Sequence, residues 1–168
     1  MKTPTLYIFS GLPGSGKTTV SQSLARHVGG THLRIDTIEQ ALRDLCSFDV
    51  QGEGYRLAYR LAADNLRLGI SVVADSCNPI ELTRREWEAT ASGVGAHYIN
   101  IEVVCSELPE HRKRVETRQS STPGLRLPTW DEVARREYDP WTTDRIVVDT
   151  FNRSHEESLN QLLAKVGA

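Results

Sequence analysis

The chain has 168 residues, close to the usual size of one domain and enough to bury a core without disulfides or a structural metal. Its 20 basic and 22 acidic side chains leave a net charge of −2, so no broad cationic field would draw it to nucleic acid or membranes. The 39% apolar content excludes collagen-like, low-complexity and strongly disordered chains. The three cysteines lack zinc-ligand spacing, and no apolar stretch reaches membrane-spanning length. We therefore expect a soluble, reduced, cytoplasmic protein.

Short apolar runs alternate with helical periodicity along the whole chain. The predicted strands are 5–10, 31–35, 70–74, 98–104 and 145–148. The predicted helices are about 18–28, 38–45, 55–66, 79–92, 109–119, 129–138 and 154–166. Ser, Thr, Gly and two prolines predict a mobile loop over 120–128. Because helices separate all five strands, we predict an α/β domain over 1–168, a parallel sheet with helices on both faces.

Polar residues and glycine come at the ends of the predicted strands. They are Gly11, Asp36, Asp75, Cys105 and Asp149. In open parallel sheets the ligand crevice lies beyond the carboxyl ends of the strands. The sequence therefore predicts one crevice that contains three aspartates.

Residues 11–18 match the pattern G-x-x-x-x-G-K-[ST] at every fixed position, between a predicted strand and a predicted helix. In this pattern, backbone amides of a glycine-rich loop converge on phosphate oxygens at the positive end of the helix. Lys17 would reach the β- and γ-phosphates, and the Thr18 hydroxyl would bind Mg²⁺. The residues predicted to contact the nucleotide, which we take to be ATP, are Gly11, Leu12, Pro13, Gly14, Ser15, Gly16, Lys17, Thr18 and Thr19.

Two of the aspartates have candidate roles in phosphoryl transfer. A kinase needs a group that accepts the proton of the substrate hydroxyl, and Asp36 is the best candidate. Asp36 could instead be a helix N-cap. Asp75 follows an apolar strand, as a carboxylate that holds Mg²⁺ does. It could also contact the acceptor or be a strand-end turn residue.

The predicted helix over 109–119 is rich in arginine, and the segment around 106–128 could form a lid. Arg114 and Arg118 are four residues apart, which places them on one helical face. Arginines that enter from a mobile lid stabilise the charge that spreads over the transferred phosphoryl group. The alternative is an ordinary solvated helix.

With these motifs, the chain resembles the small P-loop kinases of the AAA_33 and zeta-toxin-like group. That group includes polynucleotide 5′-kinase domains, chloramphenicol phosphotransferase and gluconate kinase. The resemblance rests on the loop at 11–18, Asp36, the segment 72–76, and Arg114 with Arg118. It implies strand order 2-3-1-4-5, ATP and Mg²⁺ as cofactors, Asp36 as general base, and two lid arginines on the donor phosphates.

One position departs from the polynucleotide kinases of that group. These kinases carry an arginine three residues after the base, where this chain has Glu39. Together with the net charge, Glu39 favours a neutral or cationic small-molecule acceptor. Arg34 and Arg43 could compensate, so a polynucleotide 5′-hydroxyl kinase is one alternative. A nucleotide-binding regulatory ATPase without an acceptor is another.

Overall fold

The computed structural model describes residues 3–167 and contains one parallel five-stranded sheet. The strands are β1 (Thr5–Ser10), β2 (Thr31–Arg34), β3 (Val72–Asp75), β4 (His97–Val104) and β5 (Ile146–Asp149). Their order is β2-β3-β1-β4-β5, and every adjacent pair is parallel. The predicted fold class and strand order are therefore confirmed.

Seven helices in the described part of the chain surround and connect the strands. They are α1 (Lys17–Val28), α2 (Ile35–Cys46), α3 (Glu53–Arg67), α4 (Glu81–Ser92), α5 (Leu108–Thr117), α6 (Trp130–Ala134) and α7 (His155–Val166). No helix among residues 3–167 is long and apolar enough to cross a membrane.

The core consists of two apolar layers, one on each face of the sheet. Alternate residues of a strand point to opposite faces, so Leu6 and Ile8 pack on one side and Tyr7 and Phe9 on the other. The first layer is closed by α3 and α4, where Trp87 is fully buried. The second is closed by α1 and α7. Because both faces are covered, the open space lies at the strand ends.

Strand register brings the predicted site residues to one edge of the sheet. Phe9 pairs with Asp75 across β1 and β3, and Arg34 pairs with Asp75 across β2 and β3. Gly11 follows β1 directly, so the phosphate loop leaves the sheet close to Asp75. These segments thus converge at the carboxyl edge of the sheet. Asp149, the third aspartate predicted there, instead accepts hydrogen bonds from the Ser106 and Phe151 amides and does not line the cavity at this edge.

Among the helix boundaries that differ from the sequence prediction, three bear on the site or its surroundings. α2 starts at Ile35 without an intervening loop, and its N-cap is Arg34, so Asp36 lies in the first helical turn. The N-cap interpretation of Asp36 is therefore wrong. α5 stops at Thr117 because Arg118 adopts an extended conformation. α6 ends at Ala134, well before 138, although its predicted capping box between Thr129 and Glu132 is present.

Candidate active site

The loop between β1 and α1 has the backbone shape that phosphate binding requires. Gly11 has φ 144°, and a Cβ atom there would lie 2.2 Å from the Val103 carbonyl oxygen, so only glycine fits. Gly16, the N-cap of α1, is left-handed and makes no side-chain cap. The first amides of a helix have no intrahelical acceptor. The N-terminus of α1 is therefore available to an anion.

Lys17 and Asp75 form a buried ion pair beneath this loop. The Lys17 ammonium donates a hydrogen bond to Asp75 Oδ1 at 3.1 Å, and the side chains are 12% and 1% exposed. Burial lowers the pKa of Lys17, but Asp75 outweighs it and holds that pKa above its ordinary value. Burial raises the pKa of Asp75, but Lys17 outweighs it and holds that pKa below its ordinary value. Both groups are therefore charged.

The second Asp75 oxygen, Oδ2, is free to serve as a ligand. It is buried and accepts no hydrogen bond from any described residue. His32 Nε2 lies 3.9 Å and Arg34 Nε 4.0 Å from this oxygen. In residues 3–167, no three His, Cys, Asp or Glu side chains form a metal-binding group. Mg²⁺ often binds through one carboxylate, substrate phosphates and waters, so Thr18 and Asp75 fit a nucleotide-dependent magnesium site.

Asp36 lies in the same cavity as the phosphate loop. This cavity has a volume of about 890 Å³, and residues 12–19 form one wall. Asp36, on the first turn of α2, lines it together with Ser76 and Cys77, which follow β3. The Asp36 carboxylate is 55% exposed and lies 3.6 Å from Arg34 Nη2. Asp36 is thus accessible to a substrate that enters the cavity.

The two predicted lid arginines line the cavity in different ways. Arg114 donates to Glu110 at 2.8 Å and to the Thr150 hydroxyl at 2.8 Å. That hydroxyl donates in turn to the Ser15 carbonyl at 2.7 Å, which ties Arg114 to the phosphate loop. Arg118 lies beyond the end of α5, and its buried Nε has no hydrogen-bond partner among the described residues.

The loop between α5 and α6 covers the α2 side of the cavity. Arg34 donates to the Ser121 hydroxyl at 2.8 Å. Gly124 lies so close to Gln40 that an added Cβ would be 3.1 Å from its amide nitrogen. These contacts place residues 124–128 in the cavity wall. The mobility of this loop stays a prediction.

Sequence reasoning missed three residues that shape the site. His111 Nε2 lies 2.8 Å from the Pro13 carbonyl and fixes the phosphate loop against α5. Gln40 and Arg136 line the cavity, and Arg136 Nη1 is 3.6 Å from the Cys77 sulfur. The only signal for Arg136 was a pair of arginines after α6, which does not show where that segment folds.

Comparison with known proteins places the chain in a family. The family model described as AAA domain, AAA_33, matches residues 6–157. The chain belongs to the AAA_33 family. No curated protein matches it.

Three solved structures are similar to this AAA_33 chain over almost its whole length. A candidate kinase from Chloroflexus aurantiacus is 23% identical, with a TM-score of 0.74, and the alignment covers 99% of this chain and 98% of that one. Mycobacterium tuberculosis APS kinase, in complex with AMPPNP and APS, is 15% identical with a TM-score of 0.74, and both chains are fully covered. A Sinorhizobium meliloti gluconokinase is 17% identical with a TM-score of 0.67, and 99% and 94% are covered. These similarities show the P-loop kinase fold.

Proposed function

We propose that the protein is a kinase that transfers the γ-phosphoryl group of ATP to a hydroxyl group of a small molecule. The observation that carries the proposal is the shared cavity. The phosphate loop, Asp36 and the two lid arginines all line one space of about 890 Å³. A binding module that only recognises nucleotide has no need of a carboxylate across from the phosphates.

The donor side is formed by the phosphate loop and the arginines near it. The amides of the loop and the N-terminus of α1 bind the phosphates, and Lys17 reaches the β- and γ-phosphates. Arg114 and Arg118 stabilise the negative charge on the transferred group. The Thr18 hydroxyl and Asp75 would hold Mg²⁺, which supplies charge neutralisation and orientation of the phosphates.

Asp36 is the general base of the proposed reaction. The acceptor oxygen forms a bond to the γ-phosphorus while the bond between that phosphorus and the leaving oxygen of ADP breaks. The hydroxyl proton passes to the Asp36 carboxylate, whose side chain is open to the cavity. The helical turn that carries Asp36 begins directly at the end of β2, beside β3.

The test is ADP release measured with a panel of hydroxyl compounds, in wild type and in Asp36→Asn. We expect at least one compound to stimulate ADP release, and Asp36→Asn to lower that stimulated rate by about 10²–10⁴-fold. AMPPNP affinity should stay within about twofold of wild type, because the substitution leaves the phosphate loop intact. Asp44→Asn is the matched control. Asp44 lies on α2 outside the cavity wall, and its contact with Gln40 is one that Asn can keep.

Other results would favour the two alternatives. Transfer of label to an oligonucleotide 5′ end, with strong loss of activity on added salt, would indicate a polynucleotide kinase. ATP binding with slow hydrolysis that no hydroxyl compound stimulates would indicate a regulatory ATPase. Normal stimulated turnover in Asp36→Asn would show that another group accepts the proton.

A further inference from the structure

The wall of the cavity has a charge opposite to that of the whole chain. The chain carries a net charge of −2, but six arginines and Lys17 line the cavity against only two carboxylates, those of Asp36 and Glu39. Cations in such excess repel one another unless an anion is present. The donor phosphates account for part of this excess.

Sheet topology divides the cations between donor and acceptor sides. The phosphate loop follows the central strand β1, and Arg114 is bonded to Thr150, which follows β5, on the β4–β5 side. Arg34 and Arg136 lie on the other side, at the ends of β2 and β3 with Asp36. The side that holds the proposed base thus carries cations of its own.

Two other arginines on the wall are neutralised locally. Arg43 is paired with Glu39 at 3.4 Å, one helical turn away. Arg126 is paired with Glu132 at 2.8 Å and is largely exposed. Neither needs a ligand as its partner.

Arg136, Arg34 and Arg118 form the remaining cationic cluster. In the described part of the chain Arg136 makes no salt bridge, and its only side-chain contact within bonding range is the Cys77 sulfur at 3.6 Å. Arg34 donates to the Ser121 hydroxyl at 2.8 Å and lies 3.6 Å from Asp36 and 4.0 Å from Asp75, so its charge is only partly neutralised. The pKa of Arg118 lies below its ordinary value, mainly because the side chain is partly buried. The positive charges of Arg34 and Arg136 also lower this pKa, and the negative charge of Asp36 opposes the shift. All three line the same cavity, and Arg118 lies near enough to Arg34 and to Arg136 for their charges to act on it.

The segment that carries Arg136 is fixed to the sheet edge. The Asp139 amide donates to the Pro79 carbonyl at 2.7 Å, and the Glu81 amide donates to the Asp139 carboxylate at 2.7 Å. Arg84, which is 3% exposed, donates to the Asp139 carbonyl at 3.0 Å. These bonds hold the backbone three residues after Arg136 against the segment that follows β3, while the Arg136 side chain itself is exposed.

We propose that the acceptor carries an oxyanion, a carboxylate or a phosphate, which Arg136 and Arg34 bind beside Asp36. This rests on the proposed kinase function and specifies its substrate class. A guanidinium group is well suited to bind a carboxylate or a phosphate because it can donate two parallel hydrogen bonds to the oxygens of either. The acceptor is a small molecule, because the negative net charge outside the cavity offers no track for a polynucleotide backbone.

The direct test is calorimetric titration of sulfate into the complex with AMPPNP and Mg²⁺, in which the phosphate loop is already filled. We expect wild type to bind sulfate, and Arg136→Gln to bind it at least about tenfold more weakly, as expected for one lost charge-assisted interaction. Arg136→Glu should abolish binding. The control is Arg135→Gln, since Arg135 is the adjacent arginine and is exposed like Arg136, but does not line the cavity. It should bind sulfate like wild type.

A panel of paired acceptors tells the two oxyanions apart. Each polyol is compared with its hydroxy acid and with its monophosphate, and ADP release is the readout. Stimulation by the acids or by the phosphates supports the proposal and identifies the group. Stimulation by the neutral polyols alone would overturn the proposal and leave the kinase function standing.

Three further results of the titrations have a defined meaning. Sulfate binding that is equal in wild type and Arg136→Gln would overturn the proposal. A loss of AMPPNP affinity in Arg136→Gln as large as its loss of sulfate affinity would also overturn the proposal, because Arg136 would then bind the donor nucleotide. A wild type that does not bind AMPPNP would refute the kinase function itself, and this is measured in a separate titration.

Discussion

The ion pair between Lys17 and Asp75 makes a prediction that requires no knowledge of the acceptor. Asp75→Asn removes the negative charge and preserves size. Two unit charges 3.1 Å apart attract by about 5 kcal/mol at an effective dielectric constant of about 20. Removing one partner of a buried pair costs about 3–5 kcal/mol. Since Asn retains an acceptor for Lys17, we expect Asp75→Asn to lower the free energy of unfolding by about 3 kcal/mol, the lower end of this range.

Nucleotide should reverse part of this loss. In Asp75→Asn without Mg²⁺, the phosphates replace the missing carboxylate as the negatively charged partner of Lys17, and no carboxylate competes with them for the ammonium group. Asp75→Asn should therefore bind AMPPNP at least as tightly as wild type does. Mg²⁺ should then tighten binding in wild type and have a much smaller effect in the variant, because the Asp75 oxygen is missing as a ligand.

Urea unfolding with and without AMPPNP and Mg²⁺ measures all three effects. At an m-value of about 2 kcal/mol/M, a loss of about 3 kcal/mol lowers the midpoint by about 1.5 M. The control is Asp64→Asn, which breaks a pair with Arg67 whose side chains are 72% and 61% exposed, and it should cost less than about 1 kcal/mol. If Asp75→Asn is as stable as wild type and gains as much from Mg²⁺, then Asp75 is neither the counterion of Lys17 nor a magnesium ligand.

Two further substitutions test the surroundings of the site. Arg84→Met should cost about 2–4 kcal/mol in urea unfolding, because it leaves buried carbonyls such as that of Asn78 unpaired, and a cost under about 1 kcal/mol would refute this. Burial holds the pKa of His32 below its ordinary 6.5, against the attraction of Asp75. Below pH 6.5 the unfolded chain takes up a proton before the folded one, so stability should fall as the pH decreases through this range. His32→Gln should flatten this dependence in unfolding curves between about pH 7 and pH 5, and an unchanged slope would exclude His32 as its source.

The fold could be predicted because the signals that define it are local. Strands β1, β3 and β5 are short, mostly apolar runs that end at a polar residue, and both faces of the sheet are covered. Alternating strands and helices leave few topologies. The position of the glycine-rich loop between β1 and α1 could be predicted because its pattern is defined by spacing within eight residues.

Helix boundaries at the site were harder to predict from the sequence, because they depend on the residue at which the backbone changes conformation. Arg34 is both the last residue of β2 and the N-cap of α2. Asp36 therefore lies inside the helix, although the end of a strand was predicted there. Arg118 has helical spacing from Arg114, but it turns away in an extended conformation at the end of α5. In both cases the residue still lines the predicted cavity. For these two residues the sequence thus indicated a place at the site, and the structure defines their backbone conformation.

The charge of the acceptor depends on local pairing, which neither composition nor a single position reveals. Glu39 favoured a neutral or cationic acceptor, yet its carboxylate is paired with Arg43, and burial raises its pKa. The net charge is the sum over the whole chain, most of which the acceptor does not contact. Arg34, Arg118 and Arg136 come from three separate segments and meet only in the folded cavity. Because Asp36 lies among them, the proposed anchor of the acceptor and the proposed base lie at the same edge of the sheet, so hydroxy acids and sugar phosphates are the first compounds to test.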